Sequence, residues 1–444
     1  MSNAGLFRLL GIAASVMLVT GCGANLAHPT APVQTSVGAP IHHLRSLAGR
    51  MQPIYDFNGS PDGSSPVDRS NNHTPLIAHT ATDSMTTYAG GDSNNDGTVA
   101  SVTQKGHESV VYTFKNTPDG ANPAGSLYAP KHTPAIFYLA TTHGGTNGLG
   151  AVIQLTATKK GPWREQPIYS FSSYPNDGNQ PWGTLIGDSQ GNLYGTTFAG
   201  GTYNRGTVYR MAQWASGWTE SVLYSFTGSN GDGANPYAGL SIDGKGNLYG
   251  TTYQGGDSNN DGVVYKLTLS SSAYGESVIH TFNGGDGSEP HAGVCIDPSG
   301  NLWGTTNFAG AKGAGTVFEL SSAGSTYSER VVWNFGASGD GANPTGGILM
   351  DSKGRLYGTT EAGGASASGA FFTLTPAGGK YKENLYSFSG GMDGSHPYAG
   401  PSVDNKGNII VTASQGGTGY GAVSQPAPTV HLTKVQYCVT VPAT

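Results

Sequence analysis

The run Asp232-Gly233-Ala234-Asn235-Pro236-Tyr237-Ala238-Gly239-Leu240-Ser241-Ile242-Asp243-Gly244-Lys245-Gly246-Asn247-Leu248-Tyr249-Gly250-Thr251-Thr252 decides the fold. Ala238–Ile242 reads as a short strand, Asp243–Gly246 as a tight turn, and Asn247–Thr252 as a second strand ahead of a Gly-rich loop. Val263–Leu267 and Ser277–Phe282 continue the pattern as third and fourth strands. All four are short β-branched and aromatic runs bounded by turn formers.

The pattern recurs along the chain. Asp-Gly-x-x-Pro begins at Asp62, Asp119, Asp177, Asp232, Asp286, Asp340 and Asp393, in steps of 53 to 58 residues. A Thr pair or its variant ends at Thr87, Thr142, Thr197, Thr252, Thr306, Thr360 and, degenerate, Ala413. An aromatic-x-Phe run or close variant ends at Phe57, Phe114, Phe171, Phe226, Phe282, Phe335 and Phe388. Seven units of four strands, each of about 54 residues, spell an all-β seven-bladed β-propeller. Gly near the start of the first strand, at Gly125, Gly183, Gly239, Gly293, Gly347 and Gly400, suits strands that converge on an axis.

The repeat frame also locates the ring closure. Ile54–Phe57 is a fourth strand that precedes any first strand, so it is expected to complete the last blade and remove the open edges. Leu432–Val441 alternates well and competes for that outer position. The resulting division is a lipoprotein signal peptide at 1–21, a flexible stalk at 22–50, the propeller at 51–424, and a tail or extra edge strand at 425–444.

These units, with Gly191-Asn192-Leu193-Tyr194-Gly195-Thr196-Thr197 and Gly315-Thr316-Val317-Phe318-Glu319-Leu320 as further examples, resemble the bacterial GloVer tandem-repeat proteins. The resemblance spans about residues 51–424 and implies an exported, surface-anchored propeller with no established reaction or ligand. The first and last units depart from the pattern: 67–83 lack Gly-Asn-Leu-Tyr, and 408–411 read Asn-Ile-Ile-Val.

The N-terminus points the same way. Arg8 precedes an apolar run, Leu9–Val19, that is too short to cross a bilayer as a helix. Val19-Thr20-Gly21-Cys22 resembles the bacterial lipobox, which implies lipidation of Cys22 and anchoring at the outer membrane or cell surface. An ordinary secretory signal with an incidental Cys is the alternative. Only Cys295 and Cys438 remain, and a chain this long permits a bridge between them without requiring one.

Only 11% of the 444 residues are charged, against about 25% in ordinary domains. Gly reaches 70, and the formal net charge of −6 leaves no basic footprint for nucleic acid. A monomer touching a membrane only through its lipid is the expected state.

In a propeller, the 4–1 and 2–3 loops emerge on one face. Here those loops carry Asp-Gly-x-x-Pro and the Gly-Gly segments, so a site is expected there, at the channel mouth. The motif itself is blade architecture, because every unit has it. Positions that vary inside the frame are more informative. Val67, Ala124, Trp182, Tyr237, His291, Thr345 and Tyr398 follow the Pro, while Tyr88, His143, Phe198, Tyr253, Asn307, Glu361 and Ser414 follow the Thr pair. Together they offer aromatic faces and a few hydrogen-bonding groups, the chemistry that holds sugar rings; packing between loops is the competing role.

Two loops read Asp92-Ser93-Asn94-Asn95-Asp96-Gly97 and Asp257-Ser258-Asn259-Asn260-Asp261-Gly262. They match the start of a calcium loop, with Asp92, Asn94, Asp96, Asp257, Asn259 and Asp261 as oxygen ligands. Thr103 and Thr268 stand where the bidentate Glu belongs, so weak Ca²⁺ binding competes with a plain Asn/Asp hairpin turn. No other cofactor is indicated. Enzyme signatures such as Gly-x-Ser-x-Gly or His-Glu-x-x-His are missing. The sequence therefore favours a non-enzymatic extracytoplasmic protein engaging a carbohydrate polymer or a surface protein. The alternative is a polysaccharide lyase or glycoside hydrolase using His143, His291, Glu289, Glu361 or His396.

Overall fold

The computed structural model describes residues 50–58, 62–66, 82–103, 105–130, 133, 135–158, 161–271, 273–324, 326–404, 407–417, 419–427 and 435–436. They belong to one compact unit, Arg45–Thr444. Cys22, the stalk, Val67 and Cys438 lie outside the described residues.

Seven antiparallel sheets form the seven blades of a β-propeller. Blade 4 is typical: Ser241–Ile242 innermost, then Leu248–Thr252, Val263–Ser270 and Ala273–Thr281 outermost. In blade 7 the outer strand is Arg50–Asp56, paired antiparallel with Ala422–Ala427, so the N-terminal strand closes the ring. Val435–Gln436 takes a different place, on the inner edge of blade 6 against Leu349–Asp351.

The repeated motifs are the joints between blades. The residue before each Pro has positive φ, from 52° to 57°, at Ser65, Asn122, Gln180, Asn235, Glu289, Asn343 and His396. That conformation aims its N–H at the 2–3 loop of the preceding blade: Asn235 N–H reaches the Arg205 carbonyl at 2.7 Å, and Ser65 N–H reaches Tyr420 at 2.9 Å across the closure. The first Thr of the pair binds the next blade's inner strand, as Thr196 Oγ1 does the Ala238 carbonyl at 2.7 Å. The seven phenylalanines are fully buried, and each donates its N–H to a loop Gly carbonyl, as Phe226 does to Gly206. Packed side chains run between neighbouring blades; Ile186, Val208 and Phe226 of blade 3 meet Leu240, Val263 and Tyr265 of blade 4 in one core.

Gly206 shows why this joint needs glycine. Its φ is +92°, and a Cβ there would sit 2.3 Å from the Thr197 carbonyl oxygen and 2.6 Å from Pro236 Cδ of the next blade. Gly206→Ala therefore combines left-handed strain with overpacking and is expected to cost about 2–4 kcal/mol. A chemical-denaturation midpoint lowered with an unchanged slope will show it.

The joints also hold acids. A Tyr of one outer strand donates to the linking Asp, as Tyr112 does to Asp119 at 2.6 Å. His280 replaces that Tyr beside Asp286, at 3.0 Å. From the next outer strand a Glu faces the same Asp, giving Asp62 with Glu108, Asp119 with Glu165, Asp177 with Glu220, Asp232 with Glu276, Asp286 with Glu329, and Asp340 with Glu383. Each of these Glu side chains keeps one buried oxygen without a hydrogen-bond partner. Burial, and then the Asp charge, push Glu108, Glu165, Glu220 and Glu276 up to about 7 and Glu383 to about 8, and raise Glu329. The closing strand breaks the series, with Met51 four residues ahead of Tyr55 where the others carry Glu.

Candidate functional site

Strand order puts the variable positions at one mouth of the ring. In blades 3 to 7 the residue after the Pro stands four residues before the innermost strand, and the residue after the Thr pair follows the second strand beside it. Within a blade they are tied by backbone, for example Phe198 N–H to the Gln180 carbonyl at 3.0 Å. The next blade's Asn then caps the second position, as Asn235 Nδ2 caps the Phe198 carbonyl at 2.9 Å and Asn122 Nδ2 caps that of Tyr88 at 2.9 Å. The backbone under the mouth is thus fixed by hydrogen bonds within and between blades.

On this frame the rings form a ladder. Tyr88 stacks on Trp182 at 5.9 Å and 10°, Trp182 on Tyr237 at 5.0 Å and 17°, and Tyr237 on His291 at 5.3 Å and 24°. Phe198 meets Tyr237 edge-on at 5.7 Å, and Tyr253 tilts against His291 at 5.2 Å. Tyr88 can reach Trp182 because the position between them, Ala124, is small. All six rings are half-buried, so each shows solvent only part of its surface. Asn307 Nδ2 lies 2.9 Å from His291 Nδ1, which fixes the imidazole plane. Burial, and then the nearby Glu289 carboxylate, push the Tyr253 phenol up to about 12.

The remaining candidates sit around this ladder. His143 Nδ1 is 2.9 Å from Thr142 Oγ1, and burial lowers its pKa, which favours the neutral imidazole. Tyr398 is half-buried, its carbonyl accepting Thr345 Oγ1 at 2.9 Å, and Glu361 is half-buried beside the Asn343 carbonyl. The structure thus gathers Trp182, Tyr237, His291, Phe198 and Tyr253 into one cluster with Tyr88 and Asn307. Tyr88 and Asn307 stand among the variable positions of the repeat frame, but the contacts that bring them to Trp182 and His291 were not legible in sequence. Farther out on the same face a cavity of ≈ 340 Å³ is lined by Ser172, Tyr174, Asn176, Asn179, Thr202 and Asn204. Tyr174 is 79% exposed there.

The Asp-Asn loops cap themselves. Asp92 Oδ1 accepts Asn94 N–H at 2.9 Å, and Asp257 Oδ1 accepts Asn259 N–H at 2.9 Å. Asp96 is buried and Asp261 half-buried; burial and then the neighbouring Asp raise both pKa values. Among the described residues, no group of three or more His, Cys, Asp or Glu side chains is arranged to hold a metal ion.

The fold and its joints define a repeat-built β-propeller with an aromatic mouth. The chain matches the Gloeobacter/Verrucomicrobia repeat over residues 71–276 and 245–437, and it belongs to that family. No curated protein matches it. Among solved structures it is similar to the extracellular domain of a protein designated a hybrid two component system from B. thetaiotaomicron, with a TM-score of 0.54 at 11% identity. That match covers 85% of this chain and 39% of the other. A Bacteroides uniformis protein designated a 6-phosphogluconolactonase matches with a TM-score of 0.49 at 12% identity, covering 80% of this chain and 98% of the other. At 11% identity the likeness to the extracellular domain is one of fold.

Proposed function

We propose that this chain is an exported, lipid-anchored, non-enzymatic binding protein whose loop-rich face holds a carbohydrate polymer. The observation that carries the reading is the Tyr88–Trp182–Tyr237–His291 ladder, four rings in contact across the mouth. Mutual stacking and the capped backbone immobilise these side chains before any ligand arrives, which lowers the entropy cost of binding. The exposed ring surfaces suit the C–H faces of pyranoses, and Asn307, His143 and Glu361 offer partners for hydroxyl groups. The outer cavity beside Tyr174 extends the surface beyond one sugar, in keeping with a polymer. The anchor is assigned to Cys22.

The test is retention of the chain from Gly23 onward on a panel of insoluble polysaccharides, with released sugars assayed in the supernatant. Trp182→Ala and Tyr237→Ala are each expected to weaken retention at least about tenfold, the cost of losing one well-packed ring. Neither should shift the melting temperature as a joint variant would. Loss of retention on chelation would assign Ca²⁺ to Asp92, Asn94, Asp96, Asp257, Asn259 and Asp261. Released sugars would overturn the non-enzymatic reading in favour of a lyase or hydrolase. Absence of retention on every polymer would overturn the carbohydrate reading in favour of a protein partner.

A further inference from the structure

The register of the closing strand fixes the side on which the described chain starts. Ala422 begins the third strand of blade 7 just past the 2–3 loop, and Ala427 ends it at the short-turn face. Asp56 lies opposite Ala422 and Arg50 opposite Ala427, so the chain starts, at Arg50, on the short-turn face. Arg50 stands 28 positions after Cys22, and that many residues span at most about 100 Å.

That face has its own chemistry. Among the described side chains no Asp or Glu is fully exposed, whereas many Lys and Arg are. Exposed Lys105, Arg164, Lys245, Lys353 and Lys380 stand in the short turns or at the strand ends beside them, on blades 1, 2, 4 and 6. Carboxylates of the same turns are spent on backbone. Asp243 accepts the Lys245 and Asn247 N–H groups at 2.8 and 2.9 Å, and Asp351 those of Lys353 and Arg355 at 2.9 and 3.0 Å. The loop-rich face is the acidic one: Asp92, Asp257, Asp261, Glu289 and Glu361 are half-buried there, against exposed Lys115, Arg205 and Lys312. Two apolar side chains project among the short turns. Trp214 is 65% and Leu269 39% exposed, on the 3–4 hairpins of neighbouring blades 3 and 4. Leu269 lies over Gly246, next to Lys245, since a Cβ on that glycine would sit 3.2 Å from Leu269 Cδ2. In a ring of seven, blades 3 and 4 are the pair farthest from blade 7, where the described chain starts.

We infer that the short-turn face docks on an anionic lipid surface, with Trp214 and Leu269 entering the headgroup layer and the cations pairing with lipid phosphates. An indole is at home at headgroup level, and each Lys or Arg held near such a surface strengthens binding about fivefold. The acidic loop-rich face is repelled by the same surface, which sets the orientation. Linkage through Cys22 makes the docking intramolecular, so a weak contact suffices. The face is then held at blade 7 by the tether and across the ring by Trp214 and Leu269, and the aromatic mouth points away from the bilayer. Only the tether rests on the lipid anchor proposed above; the docking face is built from described residues.

The test is flotation of the chain from Gly23 onward with phosphatidylcholine vesicles holding about 30% phosphatidylglycerol, in about 0.1 M salt. Binding is expected there, and at least about tenfold weaker binding to pure phosphatidylcholine or in about 1 M salt. Trp214→Ala/Leu269→Ala should weaken it at least about tenfold, and Lys245→Glu/Lys353→Glu at least about thirtyfold. Met392→Ala removes a side chain 68% exposed on the loop-rich face and should bind as the parent does. No binding, binding indifferent to phosphatidylglycerol, or binding that survives both double variants overturns the proposal. So does a dimer in lipid-free buffer that Trp214→Ala/Leu269→Ala dissolves, which would give the face to a second copy. The parent's dependence on lipid and salt decides the matter even if a variant folds poorly. Polymer retention is scored separately: retention without vesicle binding strikes the docking alone, and vesicle binding without retention strikes the carbohydrate reading alone.

Discussion

Removal of residues 50–57 will abolish the cooperative unfolding transition, although it touches only one of twenty-eight blade strands. Blade 7 would keep three strands and expose Ala422–Ala427 as a free edge. Phe57, fully buried against Met85, Val102, Ile410 and Val423, would leave a cavity between blades 7 and 1, and Met51 would leave another beside Leu349 and Phe388. Each large-to-small loss in such a core costs about 3–5 kcal/mol. The Tyr55–Asp62 bond of 2.5 Å across the same joint would go with them. Together these losses match the whole stability of a typical folded domain, about 5–15 kcal/mol. Circular dichroism melting of the deletion should show a broad, shifted or absent transition. Phe57→Ala alone should melt lower but cooperatively. A permutant that places residues 50–57 after Ala427, joined by a short hairpin, should recover the transition, because the other six blades already carry their outer strand in that order. A deletion that melts like the intact chain would mean that the ring does not depend on its outer closure.

Much of this was legible in the sequence, and the reasons are specific. The joint motif is readable because its chemistry is local: its Asp, Gly and Pro recur in all seven units, and only Gly fits where Gly206 meets Pro236. The closing strand was readable because Ile54–Phe57 stands in a repeat frame with no first strand before it. The mouth residues could be placed in two rings, but their partners could not, since stacking of Tyr88 on Trp182 skips a blade position and depends on Ala124 being small. The acid pairs were also hidden. Glu108, Glu165, Glu220 and Glu276 stand four residues before the Tyr or His that contacts an Asp, and Glu329 four before Trp333, whereas Glu383 stands three before Tyr386. The structure explains the offset: the first five outer strands carry a bulge in their pairing and the sixth pairs without one. A bulge adds one residue to a strand without changing which side chains face the neighbour, and the text alone does not reveal it.

Those acid pairs give the second large effect, a stability that falls as pH rises. Each Glu lies in a partly buried joint facing an Asp, and burial followed by that neighbouring carboxylate favours the protonated Glu. In the unfolded chain a Glu loses its proton near pH 4.3. In the fold, desolvation and then the Asp charge hold Glu108, Glu165, Glu220 and Glu276 protonated to about 7 and Glu383 to about 8. Between those limits the folded state binds more protons than the unfolded state. Linkage then requires stability to be fully present below the unfolded value and to be lost as pH climbs through the folded ones. The opposite slope, stability lost on acidification, is what ordinary ion-paired carboxylates produce. The groups are only partly buried, which tempers each contribution, but the repeat multiplies a single joint and the slopes add. The melting temperature is expected to drop on the order of 10 °C between about pH 5.5 and about pH 8.5. Replacing Glu165, Glu220 and Glu276 by Gln keeps the hydrogen-bonding shape and removes the titration, so the triple variant should be less sensitive to pH and more stable than the parent at the alkaline end. Equal slopes in parent and variant would show that these carboxyls ionise normally in the fold. The Met51 joint needs no titration at all, so the ring should open last at its covalently separate ends and first where the acids crowd. Hydrogen exchange at alkaline pH, compared between Ala422–Ala427 and the outer edges of blades 2 to 4, will read that order directly.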